Sequence, residues 1–189
     1  MRHNLLYKNL GLIALGLMAF AASPAAAQTV APGPYYPPPS WDQKLPCGSL
    51  TTCPRFIVLS NWNSEAVLDR ETGLVWEKSP DSGPDPSGFV WLNALGHCNT
   101  LTVGNRKGWR LPTIQELASL IDASVPFPGS LPPGHPFMNV QSSFGSFYWS
   151  ATTNANNTDN AWDVNFNNGD VNNDDKTNNN FVWCVRGGA

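Results

Sequence analysis

Charge is scarce in this chain: 13% of its 189 residues are Asp, Glu, Lys or Arg, and the 11 Lys and Arg form no basic stripe. Tracking a phosphate backbone takes clustered cations that displace counterions, so nucleic acid is excluded as a partner. Histidine is scarcer, at three, with only His97 and His135 beyond the first few residues. Every catalytic scheme built on those two lacks a partner group, which favours a binding protein over an enzyme. No apolar run reaches the roughly 20 residues that span a bilayer. The longest, residues 10–22, follows Arg2 and Lys8 and precedes Ala25-Ala26-Ala27. That pattern is an export signal, residues 1–27, cut before Gln28 and leaving no membrane span in the mature chain. Its removal moves the formal charge from −3 to −5, because Arg2 and Lys8 leave and no acid does.

Cysteines are few but even in number, and Cys47, Cys53, Cys98 and Cys184 all follow the signal. In an oxidising compartment they predict two disulfides. Three pairings are open, and the favoured one joins Cys47 to Cys53 and Cys98 to Cys184, the second link spanning 86 positions. The spacings match no zinc ribbon or finger.

Proline is what the chain has in quantity, and it is concentrated in places. Residues 31–46, APGPYYPPPSWDQKLP, lose backbone donors and favour extended structure, which makes residues 28–52 a linker. The folded domain, 53–189, opens with the short apolar strand Phe56-Ile57-Val58-Leu59. A hairpin follows, 66–69 and 74–77 around Arg70-Glu71-Thr72-Gly73. Trp91, Ala94, Leu95, Cys98 and Leu101, spaced by three and four, predict a helix with Cys98 facing inward. Thr113 and Glu116 form a capping box for a second helix with Ile114, Leu117, Ala118 and Ile121 on its apolar face. Residues 123–147, rich in Pro, Gly and Ser, read as a surface loop or lobe outside the core. The last third reads as strands near 148–151, 161–166, 169–172 and 181–186. Trp162, Val164 and Phe166 alternate with polar residues, as on a half-buried strand. Two short helices and a multistranded antiparallel sheet make an α+β fold. Among the eight Trp, Trp76, Trp91, Trp109, Trp149 and Trp162 read as core, whereas Trp41, Trp62 and Trp183 are candidates for exposure. Arg110, Glu116 and Arg186 read as framework charges.

Val67-Leu68-Asp69-Arg70-Glu71-Thr72-Gly73-Leu74-Val75-Trp76, Gly108-Trp109-Arg110-Leu111-Pro112-Thr113 with Glu116-Leu117, Tyr148-Trp149-Ser150 and Cys184-Val185-Arg186 occur in an order that resembles one family. It is the C-terminal domain family of the Legionella collagen-like adhesin. The resemblance implies a C-type lectin-like scaffold, two helices flanking a twisted antiparallel sheet with a loop-rich ligand face. It also implies binding of sulfated polysaccharide and host surfaces, although this chain shows no Gly-x-y collagen stalk to support trimers. Related domains are targets of diversity-generating retroelements, which vary the C-terminal part of the fold.

Residues 154–180 hold 12 Asn in 27 positions, an excess that strand propensity disfavours. Amides donate and accept at once, which suits sugar hydroxyls or a protein surface. The candidate ligand residues are Asn156, Asn157, Asp159, Asn160, Asp163, Asn165, Asn167, Asn172, Asp174 and Asn178, with the loop around His135. Solvated strand faces and turns are the alternative reading of the same residues. Calcium is the one cofactor considered: Asp159, Asp163, Asp170, Asp174 and Asp175 offer hard oxygens, although no EF-hand spacing is present. The expected partner is a glycan or a surface protein, in the periplasm, at the cell surface or outside the cell. The alternatives are a structural envelope component and an extracytoplasmic hydrolase.

Overall fold

A computed structural model of the protein describes residues 54–80 and 88–187. The signal, the linker with Trp41 and the Cys47–Cys53 pairing lie outside the described residues. Strands β1 (Phe56–Val58), β2 (Ala66–Asp69) and β3 (Val75–Glu77) lead into helices α1 (Trp91–Thr100) and α2 (Ile114–Ala118). Strands β4 (Phe147–Thr153), β5 (Asn160–Asn165), β6 (Asp170–Asp175) and β7 (Val185–Arg186) follow. The expected single sheet is two: a four-stranded antiparallel sheet ordered β1-β2-β3-β7 and a three-stranded one ordered β4-β5-β6. Among the described residues no helix is long and apolar enough to cross a membrane.

The β2–β3 hairpin forms where turn chemistry placed it. Gly73, at φ 73°, donates to the Asp69 carbonyl, and the Asp69 carboxylate accepts from the Glu71 amide at 3.0 Å. Arg55 grips the same buried carboxylate through two nitrogens, at 2.8 and 3.0 Å, tying β1 to the turn. The predicted capping box starts α2. Thr113 Oγ1 accepts from the Glu116 amide at 3.2 Å, and Glu116 Oε2 accepts from the Thr113 amide at 2.8 Å. Glu116 also holds Arg110 through two short bonds, and Arg110 donates onward to the Gly187 carbonyl, so the helix start is anchored to the chain's last strand. Replacing Thr113 by Ala leaves the Arg110–Glu116 pair intact and removes one cap bond. Chemical denaturation is expected to show a loss of about 1 kcal/mol.

The segment from Phe181 to Val185 explains how the two sheets share one interior. Phe181 pairs beside β4, exchanging bonds with Phe147 and Trp149, whereas Val185 pairs with Trp76 of β3 and with Arg110. Alternate residues along it enter different apolar clusters. Phe181, Trp183 and Val185 join Val67, Trp76, Leu117, Leu120, Tyr148 and Val164. Val182 and Cys184 join Ala66, Ala94, Cys98, Trp149 and Ala161. The Cys98–Cys184 disulfide, as expected from spacing, closes the second cluster between α1 and this segment. Both faces of the inner strands are therefore covered.

That double covering overturns several expectations. Trp183 is fully buried, with its indole N–H donating to the Glu77 carbonyl at 2.9 Å, while Trp162 and Trp91 are only half-buried. The polar side of β5 does not face water: Asp163 and Asn165, which alternate with Trp162 and Val164 on the side of Ala161, are buried. The 123–147 lobe also enters the core, because Phe137 packs edge-on against Trp183 at 4.8 Å.

Candidate functional site

The ten amide and carboxylate candidates divide into three groups. Asn156, Asn157 and Asp159 are exposed on the β4–β5 loop, with Asn160 half-buried at its end. Side chains there organise the backbone: Asn154 Oδ1 accepts from the Asn156 amide at 3.0 Å, and Asn157 Oδ1 accepts from the Asp159 amide at 3.3 Å. Asn173 Oδ1 on β6 receives both the Asn154 and Asn160 amides, at 3.0 and 2.8 Å. Lys176 spans the loop, donating to Thr153 Oγ1 and the Thr158 carbonyl while its ammonium sits 4.3 Å from the Trp91 ring centre. The loop is thus preset rather than loose.

Asn165 and Asn167 lie at the other end of β5, about 17 Å away at 3.3 Å per strand residue. Both are buried, and their polar atoms hold the chain: Asn165 Oδ1 accepts from the Asn167 amide, and Asn167 Nδ2 reaches the Ser142 carbonyl. These two brace the lobe from below and present little amide surface to a ligand.

Asp163, Asp174, Asn172 and Asn178 form the third group, on one face of the β5–β6 pair. Asp163 is 1% exposed, and its Oδ1 meets no hydrogen-bond partner. Asn180 Nδ2 lies 3.4 Å from Asp163 Oδ2 and 3.4 Å from Asp174 Oδ2, so one amide serves two carboxylates. Asn178 Nδ2 donates to Asp174 Oδ1 at 2.8 Å. Burial, and then the Asp174 charge, push the Asp163 carboxyl up to about 7. Asn172 and Asn178 remain exposed beside this pair. Asn180, which links the group, was missing from the sequence candidates. Its position at the end of the Asn run gave no sign that its backbone pairs with Phe89. Gly88, at φ 101°, makes that approach possible, because a Cβ there would strike the Asn180 carbonyl.

The five Asp considered for calcium do not converge. Asp159 is on the loop, Asp170 at the hairpin turn, and Asp175 on the opposite face of β6 from Asp174, where Thr177 hydrogen bonds hold its carboxyl below the ordinary range. Among the described residues no three His, Cys, Asp or Glu side chains gather to hold a metal ion.

A fourth surface gathers residues that are distant in the sequence. The half-buried Trp62 ring has Arg106 and Arg186 guanidinium carbons each 5.3 Å from its centre and Trp109 edge-on at 6.4 Å. Gly104 fits beneath it: a Cβ there would come within 2.7 Å of the Trp62 Cβ. Arg186 Nε donates to the Lys107 carbonyl at 2.8 Å, and exposed Arg106 and Lys107 complete a small cationic patch. Glu65 accepts from the Gly104 amide at 2.8 Å. Lys176 lies apart, on Trp91.

Two antiparallel sheets whose inner strands are buried, a disulfide from α1 to the segment before β7 and polar loops held by their own side chains define a disulfide-stapled α+β domain. More particularly, the chain belongs to the Lcl C-terminal domain family, whose sequence model matches residues 65–186, from the entry to β2 through β7. No curated protein sequence matches it significantly.

Proposed function

We propose that the protein is an exported, adhesion-type binding module with a C-type lectin-like scaffold, and that it holds a glycan or a surface protein on its Asn/Asp-rich face. The carrying observation is the network around Asn154, Asn160 and Asn173, which fixes the β4–β5 loop and β6 while Asn156, Asn157, Asn172 and Asn178 stay exposed. Preset amides spend little conformational entropy on binding, which is what a recognition surface needs. Order of elements supports the lectin-like scaffold: two helices precede the strands that carry the loops, and the first helix is bridged to the terminal strand. Binding is favoured over catalysis because Cys98 and Cys184 are consumed in the bridge, and because the carboxylates that share a described cleft are already engaged: Glu71 with Arg55 and Asp122 with Ser124 in one, Glu65 with the Gly104 amide and Glu77 with the Cys184 amide in another.

The test is a glycan array, run with calcium and with chelator, together with capture from host or neighbouring-cell surfaces. Asn172→Ala with Asn178→Ala is expected to weaken binding about tenfold at an unchanged melting midpoint. No binding in either format would leave the structural envelope role instead. The Arg106, Lys107 and Arg186 patch favours a second reading, in which sulfated chains bind beside Trp62 in spite of the net negative charge. In that case Arg106→Ala with Lys107→Ala abolishes a salt-sensitive component of binding and leaves the rest.

A further inference from the structure

Beside Pro54 a cleft of about 390 Å3 opens between the start of β1, the β2–β3 turn, the segment after α2 and the lobe. That is room for one extended side chain, at the lower end of the range of binding pockets. It shares no residue with the Asn/Asp-rich face. Pro54, Pro132 and Pro133 line it with partly exposed pyrrolidine rings, and its charged lining is Arg55, Glu71 and Asp122.

Those charges do not cancel. Arg55 holds the buried Asp69 carboxylate through two nitrogens and donates to the Ser119 carbonyl, and its Nε also lies 3.0 Å from Glu71 Oε2. One guanidinium thus faces three carboxylates, those of Asp69, Glu71 and Asp122. Burial holds the Glu71 carboxyl above its ordinary range in spite of Arg55, as befits a carboxylate short of countercharge. Bonds from Ser124 hold the Asp122 carboxyl below its ordinary range, so it stays ionised. His135 brings no opposing charge, because burial keeps its ring neutral, and its Nδ1 is left without a partner.

Each carboxylate also keeps an oxygen to offer. Glu71 meets Arg55 through Oε2 and Asp122 meets Ser124 through Oδ1, while among the described residues Glu71 Oε1 and Asp122 Oδ2 make no hydrogen bond. An anion would meet an excess of negative charge here. A neutral chain would cover two carboxylates without replacing their water. A cation on an aliphatic stem satisfies both the acids and the proline walls. Arginine gains little in this setting, because the Phe56 ring is already occupied by Arg55 at 4.7 Å and by Phe137 at 5.0 Å, leaving no face for a second guanidinium. A compact ammonium with three rotatable donors reaches acceptors on separate walls. We propose that this cleft takes the lysine side chain of a partner protein, with its stem along Pro54, Pro132 and Pro133 and its ammonium between Glu71 and Asp122.

The inference goes beyond the amide-rich face and needs no part of it. The full-length mature chain would be titrated with blocked tripeptides carrying lysine, arginine, norleucine or glutamate between two glycines, and with putrescine, by amide-shift mapping. The lysine peptide should bind and move the Glu71, Asp122 and Gly134 signals, more weakly at raised salt. The arginine peptide should bind less tightly, and the norleucine and glutamate peptides should not bind. Glu71→Gln with Asp122→Asn should weaken lysine binding about tenfold. Asp122→Asn alone, which leaves the Arg55 pairs in place, should weaken it about threefold at an unchanged melting midpoint. Asn172→Ala with Asn178→Ala should leave it as it is. The inference is overturned if the lysine peptide does not bind, if its shifts map elsewhere, or if the double carboxylate variant binds it as well as wild type. Equal binding of norleucine or arginine would overturn it too, and putrescine binding as tightly as the peptide would assign the cleft to free amines. Lys44, ten positions before Pro54, is the competitor within the chain. Lysine binding seen only after Lys44→Gln would make that segment the occupant and remove the partner.

Discussion

Replacing Cys98 and Cys184 together by Ala is expected to lower the unfolding free energy by about 4–5 kcal/mol, read from urea or guanidinium melts of the oxidised protein and the double variant. The loop that the bridge closes spans 86 positions, and on the chain-entropy account a loop of that length restricts the unfolded ensemble by about this amount. Each cysteine is also fully buried between Ala94, Trp149 and Val182, so alanine leaves a small void that adds to the loss. For a domain of ordinary stability, about 5–15 kcal/mol, that is a large fraction of the total. A variant whose midpoint shifts by less than about 1 kcal/mol would show that packing, not the bridge, joins α1 to the terminal segment.

Asp163→Asn should make the domain more stable, and only above acidic pH. The folded chain binds the Asp163 proton far more tightly than the unfolded one, because burial and the Asp174 charge raise the carboxyl from 3.8 to about 7. A group raised in this direction favours folding in full below about pH 4. Its contribution is lost as pH climbs through about 7, the reverse of an ion-paired carboxylate. The shift corresponds to about 4 kcal/mol, so wild type and variant should agree near pH 4 and diverge by about 3–4 kcal/mol at pH 8 to 9. Asparagine keeps an oxygen for the Asn180 amide and brings no charge to bury. Denaturation curves from pH 4 to 9 that stay parallel would refute the assignment. Binding measurements on the same variant would show whether this buried carboxyl reaches the ligand through Asn180 and Asp174.

Local chemistry was legible wherever a few neighbouring residues decide the outcome. The Asp69-to-Gly73 turn, the Thr113–Glu116 cap and the inward Cys98 all follow from side chains within one or two turns of each other, and each is present. The pairing of Cys98 with Cys184 was favoured for its span and is also present. Burial in the last third was not legible. Period-two alternation in β5 separates Val164 from Asp163 and Asn165, but it does not say whether the second face has a cover. Here other segments supply one, Asn180 against Asp163 and the turn at Asn167 against Asn165, so both are as buried as their apolar neighbours. Trp183 went the same way, since its segment runs between two clusters rather than along a surface.

The candidate site was half legible for a related reason. An excess of Asn marks a stretch as polar and hydrogen-bonding without dividing bracing amides from presenting ones. Asn167 holds the Ser142 carbonyl and Asn178 faces water, though nothing in their local sequence separates them. The exposed rings Phe127 and Phe144 sit in Pro, Gly and Ser surroundings with no periodic apolar partners. That isolation was the one available hint of their exposure.

Residue order alone placed both helices, the first hairpin and the strands near 148–151 and 161–166, favoured Cys98 with Cys184 among three open pairings, and marked the carboxyl-terminal third as a polar, amide-laden surface candidate, because turns, caps and periodicity act over a few residues. Only the tertiary structure decided that two sheets share one divided interior, that Asp163 loses its water, and that Trp62 gathers Arg106 and Arg186. Those outcomes depend on which distant segment covers which face, and coverage is set by packing between elements far apart in the chain.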